Sequence, residues 1–251
     1  MDSIFYTRLK EKASKTALRL GLPAFYEEYE NDLRESAAFF DSSRIIYRCL
    51  QYLDDSKLHP AHGISHCEKV AREAGAILRI ERVKRGHPGE AEDELMLCVQ
   101  IAGLFHDIKR LEENHPVAGS NEAEKILKDF DIEDRYKRYI IAAIRNHEAF
   151  KKVLGSEDES AKLISDSLYD ADKFRWGPDN FTVTLWLIAE SRRITVRTLF
   201  ESYEEKIKGI TGIKETFRTT TGRQYGPEFI DIGIEIGREI YTEMRHMLGD
   251  L

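Results

Sequence analysis

Apolar positions recur along this chain at intervals of three and four, the spacing of one helix face, and rarely in the strict alternation of a strand. The stripe Ile45, Ile46, Cys49, Leu50, Leu53 predicts a helix over 43–54, and Val70, Ala74, Ile77, Leu78 predict one over 64–80. Leu95, Cys98, Ala102 and Phe105 carry a helix over 90–107 into His106; Tyr136, Ile140, Ala143, Ile144 and His147 share a face of 133–148. Further helices are expected over 2–20, 23–39, 117–129, 159–173, 180–190, 195–208 and 228–249. Phe181-Thr-Val-Thr-Leu is rich in strand formers, but Trp186, Leu187 and Ile188 follow without turn residues, which favours helix. The six prolines, at 23, 60, 88, 116, 178 and 227, read as punctuation between helices. The stretch 210–226 mixes Gly, Thr and Arg without a period and reads as a long loop, of the kind often functional or mobile. The expected fold class is all-α.

At 251 residues the chain suffices for one large domain. The histidine-bearing core is expected at about 43–178, with helical extensions over 1–42 and 179–251. Lys plus Arg number 38 against 45 Asp plus Glu, a net charge of −7, which excludes broad electrostatic steering toward extended nucleic acid or an anionic membrane. Local charge still permits a small phosphorylated ligand. Cys49, Cys67 and Cys98 form no CxxC pair; three sparse cysteines suit a reducing compartment better than a disulfide framework. The start, MDSIFYTRLKEKASK, is charged where a signal peptide is apolar, and no apolar run approaches the ~18 residues that span a bilayer. A cytoplasmic protein is the expectation.

The chemistry lies in the histidines. His62 and His66 are four apart near a helix start and share a face. His106 and Asp107 end the apolar run LCVQIAGLFHD; His115 follows in NHPVAG, His147 ends YIIAAIRNH, and Asp170 and Asp172 lie in LYDADKF. Imidazole and carboxylate together suit a divalent transition metal, and ligands delivered from several helix ends can point into one cavity. An aspartate can bridge two ions where an imidazole cannot, so a His-Asp pair can place His106 on one metal and Asp107 between two. Such a metal lowers the pKa of bound water toward neutrality and polarises an electrophile, which suits hydrolysis of a phosphate ester. A carboxylate at a helix C-terminus also opposes the helix dipole, and a residue that breaks a local rule is a better functional candidate than a cap.

The order His…His-Asp…Asp resembles the HD-domain superfamily of metal-dependent phosphohydrolases. ISHCEKVAREAGAIL is similar to the first motif, LFHDIKR to the central one and LYDADKF to the last; NHPVAGSNEAEKIL and IIAAIRNHEAF are similar to two further histidine segments of the dinuclear members. The resemblance covers about 58–178 and implies an HD-type helical core with added terminal helices. It implies one metal on His66, His106, Asp107 and Asp172, and a second on Asp107, His115 and His147. The ion would be Fe, Mn, Ni, Co or Zn, one or two per chain. Implied with it is attack of metal-bound hydroxide on a phosphate mono- or diester, a nucleotide being one candidate, with Lys109 or Arg110 offsetting developing charge and His62 shuttling protons. The chain departs from the pattern in three places. Lys109-Arg110 stands where the signalling branch carries Gly-Lys, HEAFKKVLGSEDES replaces the GYP segment of cyclic-dinucleotide phosphodiesterases, and Glu112 and Glu113 fall late for the acid of the monomeric nucleotidases.

Other readings stand beside this one. Some HD-type proteins hold two irons on the same six ligands and activate O₂; the cations after His-Asp favour phosphate. A non-catalytic module held together by its metal is the third. Asp170 reads as a cap or a support for the ligands, Trp176 as pocket wall or core, and Arg175, Arg218 and Arg223 as candidate phosphate contacts. Cys67 is not expected to ligate, and His59, His87 and His246 read as surface residues.

Overall fold

The computed structural model describes residues 2–86 and 92–249, and among them there is no strand. Thirteen α-helices follow in order. The first four are α1 (Asp2–Leu20), α2 (Ala24–Glu28), α3 (Glu30–Ser42) and α4 (Arg44–Leu50). Five more follow: α5 (Ile64–Lys84), α6 (Glu92–Phe105), α7 (His115–Leu127), α8 (Asp134–Arg145) and α9 (Glu159–Phe174). A π-helical turn, Asn180–Thr184, runs into α10 (Leu185–Ser191), then α11 (Val196–Glu201), α12 (Tyr203–Gly212), a 3₁₀ turn (Ile213–Thr216) and α13 (Thr220–Gly249). The all-α expectation holds.

The centre is α6, buried from Leu95 to Phe105 on every side but Leu97. A helix apolar all round belongs inside a bundle. It packs against α5, α8 and α9, while α7 closes on α8 and α3 covers α5. Helices α5 and α6 approach closely at Gly103, where a Cβ would lie 2.5 Å from Ala71 Cα. Only glycine lets those two backbones meet, and His66 and His106 are brought together by that contact. The terminal helices pair with each other, α1 on α13, and α13 also lies on α5, α9 and α12.

Helix starts follow local chemistry. Ser43, Asp158 and Thr195 each accept a backbone N–H of their own first turn. Gly63 precedes α5 and has no side chain to cap it; Asp55 supplies the oxygen instead, accepting the Ile64 N–H at 2.8 Å.

Several sequence expectations need correction. The segment 23–39 is two helices broken at Tyr29, 195–208 is broken at Ser202, and 43–54 stops being helical after Leu50. The expected loop over 210–226 is mostly helical: α12 ends at Gly212, a 3₁₀ turn follows, and α13 begins at Thr220. Pro227 therefore sits inside α13 and not between helices. Falling two turns from the helix start, it gives up one backbone bond. The glycines that suggested a loop serve close packing: a Cβ on Gly222 would lie 2.0 Å from Asp170 Oδ2. His87, Pro88 and the first two positions of the expected 90–107 helix lie outside the described residues.

Candidate metal centre

Five elements deliver the site. His62 and His66 flank the start of α5, whose first N–H is held by Asp55. His106 and Asp107 come directly after α6. His115 opens α7 behind Asn114, which takes a left-handed conformation (φ 55°) that asparagine tolerates better than most residues. His147 follows α8, and Asp172 lies in the last turn of α9.

The side chains converge. His66 Nε2 and His106 Nε2 are 3.3 Å apart, and each lies 3.7 Å from Asp172 Oδ1. Asp107 Oδ2 is 3.4 Å from His106 Nε2 and 4.0 Å from His66 Nε2. On its other side Asp107 Oδ1 is 3.5 Å from His115 Nε2 and 3.4 Å from His147 Nε2, which are themselves 3.2 Å apart. Each oxygen of Asp107 thus faces a different group of imidazoles. Donors sharing one ion at ~2.0–2.2 Å stand roughly 3.0–3.5 Å apart, the range of the closest pairs here.

Proton positions show why a cation fits. His106 Nδ1 is 2.7 Å from Gly103 O, and His147 Nδ1 is 2.6 Å from Ile144 O. A carbonyl only accepts, so both Nδ1 atoms carry hydrogen, and in the neutral rings both Nε2 atoms are left as lone pairs facing other acceptors. Asp107 Oδ1 is buried with no hydrogen-bond donor among the described residues. Lone pairs and a carboxylate converging away from bulk solvent are unfavourable without a proton or a cation between them. His66, His106 and Asp172, Asp107 with His115 and His147, and His62 with His66 and Asp107 are each grouped closely enough to hold an ion.

Electrostatics agree. Burial, then the neighbouring His106 and His62, push His66 down to about 3. Burial and the Arg110 charge do the same to His115. Both rings are neutral at pH 7. Burial opposes ionisation of Asp107, but the His106 charge and histidine hydrogen bonds overcome it and hold the carboxyl well below its usual range. Asp172 is likewise held low against burial, by Lys173 first and then His106. In the same metal-free state burial works against the charged form of His106, yet Asp107 raises it overall.

Lys173, which the sequence reading did not single out, is buried and pairs with Asp172 Oδ2, leaving Oδ1 toward the histidines. Support of this kind orients a ligand. Its signal was adjacency: it directly follows the last motif aspartate. His62 Nδ1 is 2.8 Å from Asp107 Oδ2. Arg110 reaches the second group, its NH1 2.5 Å from His115 Nε2 and 3.7 Å from Asp107 Oδ1. That guanidinium stands where a second ion would lie, so the two are alternatives. Lys109 turns away: it pairs with Glu112 at 3.2 Å and does not line the cavity.

A cavity of about 370 Å³ opens over the cluster. His62, His66, Asp107, Arg110, His147 and Asp172 form its floor; Lys173, Arg175, Trp176, Asn180 and Phe150 are among its walls. Phe150 is two-thirds exposed and holds φ at 61°, a strained conformation for a bulky side chain and of the kind that concentrates at functional sites. Arg175 reaches this wall as part of a buried network, pairing with Glu73 and Asp179 and donating to Tyr26 Oη at 2.9 Å.

Three other candidates lie elsewhere. Asp170 is a structural acceptor, taking the Arg218 and Thr219 N–H groups and the Thr219 hydroxyl at 2.7–2.8 Å to fix the start of α13. Arg218 stacks on Tyr169 at 3.5 Å, and Arg223 donates to the Arg218 carbonyl, so neither faces the cavity. His59 is not a surface residue: it is 9% exposed, meets the His62 ring edge-on, and its Nδ1 accepts the Ala61 N–H. His246 is exposed, and Cys67 is buried with its thiol pushed well up by burial, away from any thiolate role. No helix among the described residues is long and apolar enough to cross a membrane. No protein-family model, curated protein or solved structure matches the chain.

Proposed function

We propose that this protein is a metal-dependent hydrolase of phosphate esters with an HD-type centre. One observation carries the reading: Asp107 turns its two oxygens toward two separate groups of imidazoles. His66, His106, Asp107 and Asp172 would hold the first divalent ion, and Asp107, His115 and His147 a second once Arg110 has swung aside. When bound, such ions supply an activated water and draw electron density from phosphorus.

The chain's own residues do the rest. Asp172, fixed by Lys173, keeps its free oxygen on the ligand side. Arg110, a third exposed, would leave His115 for a phosphate oxygen, which a guanidinium can grip in bidentate fashion. His62, one nitrogen on Asp107, has the other ring nitrogen to exchange protons with the reacting groups. In the balanced step, water oxygen bonds to phosphorus, the ester P–O bond breaks, and one proton of that water ends on the departing alcohol. Trp176 and Phe150 line the cavity and would lie beside a bound substrate.

The test is metal analysis of the protein as purified, then phosphate release from mono- and diesters with Mn²⁺, Fe²⁺, Ni²⁺, Co²⁺ or Zn²⁺. Turnover that follows metal content is expected. A protein that binds an ion tightly and turns over no ester with any of them would overturn the proposal.

A further inference from the structure

A second cavity, of about 530 Å³, adjoins the metal cleft. The two meet at Trp176, Asn180 and Ile188, each of which lines both. The larger one is built by the π-helical turn, α10, α11, α12 and α13. Its walls are mostly apolar: aliphatic Leu185, Leu199, Ile207, Ile210, Ile240 and Met244, with aromatic Trp176, Phe181 and Tyr203. Its polar side chains are Asn180, Arg192, Thr198, Ser202, Tyr203 and Lys206, of which Arg192, Thr198 and Lys206 are exposed and Asn180 also lines the metal cleft.

We infer that the phosphate ester cleaved here carries a long apolar alcohol, an alkyl or isoprenoid chain, seated in this second cavity while its phosphate lies over the histidines. The size fits: at the ~30 Å³ a water occupies in the liquid, the cavity takes on the order of a dozen to twenty non-hydrogen atoms. The chemistry fits as well. A nucleoside would need several directional partners for its base and sugar, and apart from Asn180, Ser202 and Tyr203 the unexposed lining is apolar. The ester step is the one given above, so the inference rests on the hydrolase reading for turnover; binding of the alcohol depends on the cavity alone.

Two measurements on the full chain separate these. In the first, 1-butanol, 1-hexanol, 1-octanol and 1-decanol are titrated into metal-free protein and followed by calorimetry. Affinity is expected to rise about fourfold per methylene until the cavity is full. Leu199→Trp, which adds bulk to one wall of the cavity, should end the rise at a shorter chain. In the second, Mn²⁺-loaded protein is given the matching alkyl phosphates below their micelle concentrations, and kcat/KM should climb in the same way. Affinity independent of chain length, or a rise that continues to the same chain length in Leu199→Trp, overturns the inference. Short esters cleaved as well as long ones also overturn it and leave the hydrolase intact. Length-dependent alcohol binding without ester turnover keeps the cavity's role and removes the hydrolase.

Discussion

Replacing Asp107 by asparagine tests the centre most sharply. The substitution keeps the shape but removes the charge and one of two acceptor oxygens, and those oxygens serve opposite groups at 3.4–4.0 Å and 3.4–3.5 Å. An ion present at a hundred times its Kd stabilises the folded chain by about 2.7 kcal/mol. For 251 residues the unfolding entropy is about 0.5 kcal/mol per K, so each ion raises Tm by about 5 °C. The unaltered protein should show that rise with Mn²⁺ or Zn²⁺ in a thermal melt, reversed by chelator. Asp107→Asn should lose it entirely and carry less than one ion by elemental analysis. Asp172→Asn should weaken only the first group and His147→Ala only the second, each leaving about one ion. Asp107→Asn still holding two ions, with the full thermal shift, would show that its carboxylate bridges nothing.

Four further outcomes follow from the same geometry. Arg110→Ala should tighten the second ion, since the guanidinium no longer occupies its place, while slowing ester turnover at least tenfold; competition with a metal-sensitive dye and steady-state kinetics read the two effects. Gly103→Ala, whose Cβ would meet Ala71 Cα at 2.5 Å, should cost about 1–3 kcal/mol by forcing α5 and α6 apart, and should loosen metal binding at His66 and His106, as read by urea unfolding and metal titration. Glu73→Ala leaves the buried Arg175 short of a partner and should cost ~3–5 kcal/mol in urea unfolding. In chelator, His66 and His115, both lowered to about 3 from 6.5, bind fewer protons folded than unfolded; their effect is that stability falls as pH drops from about 6.5 toward 3. The depressed Asp107 and Asp172 add to that loss lower down, and the raised His106 works the other way only above about pH 6.5. Unfolding that is no easier at pH 4.5 than at 7.5 would contradict these directions.

The helical architecture was legible because periodicity reports burial, and α5, α6, α8 and α9 bury regular faces. The six metal-ligand candidates were legible for a different reason: each sits at or near a helix end, where an apolar stripe stops at a polar residue. What escaped was decided by packing at a distance. Gly222 looked like loop because nothing in its own segment shows that Asp170 lies against it. Pro227 looked like a boundary because the rest of α13 is held by α1, α5 and α9, which local sequence does not report. Lys109 and Arg110 were equivalent as letters; the turn after α6 gives one to Glu112 and the other to His115. The ring of His59 is buried through its neighbours His62 and Ala61, in a Pro-containing turn with no period to betray it.

The π-helical turn at Asn180–Thr184 has a consequence for how this chain can change. Such a turn holds one residue more than a regular helix needs, and every α-helical residue advances the rotation by about 100°. Trimming a residue from 180–184 would regularise the backbone and throw Asn180 and Ile188 out of phase, so that the two no longer border the same pair of chambers. Insertions and deletions should therefore be selected against here, a reading frame of side chains kept by a single surplus residue.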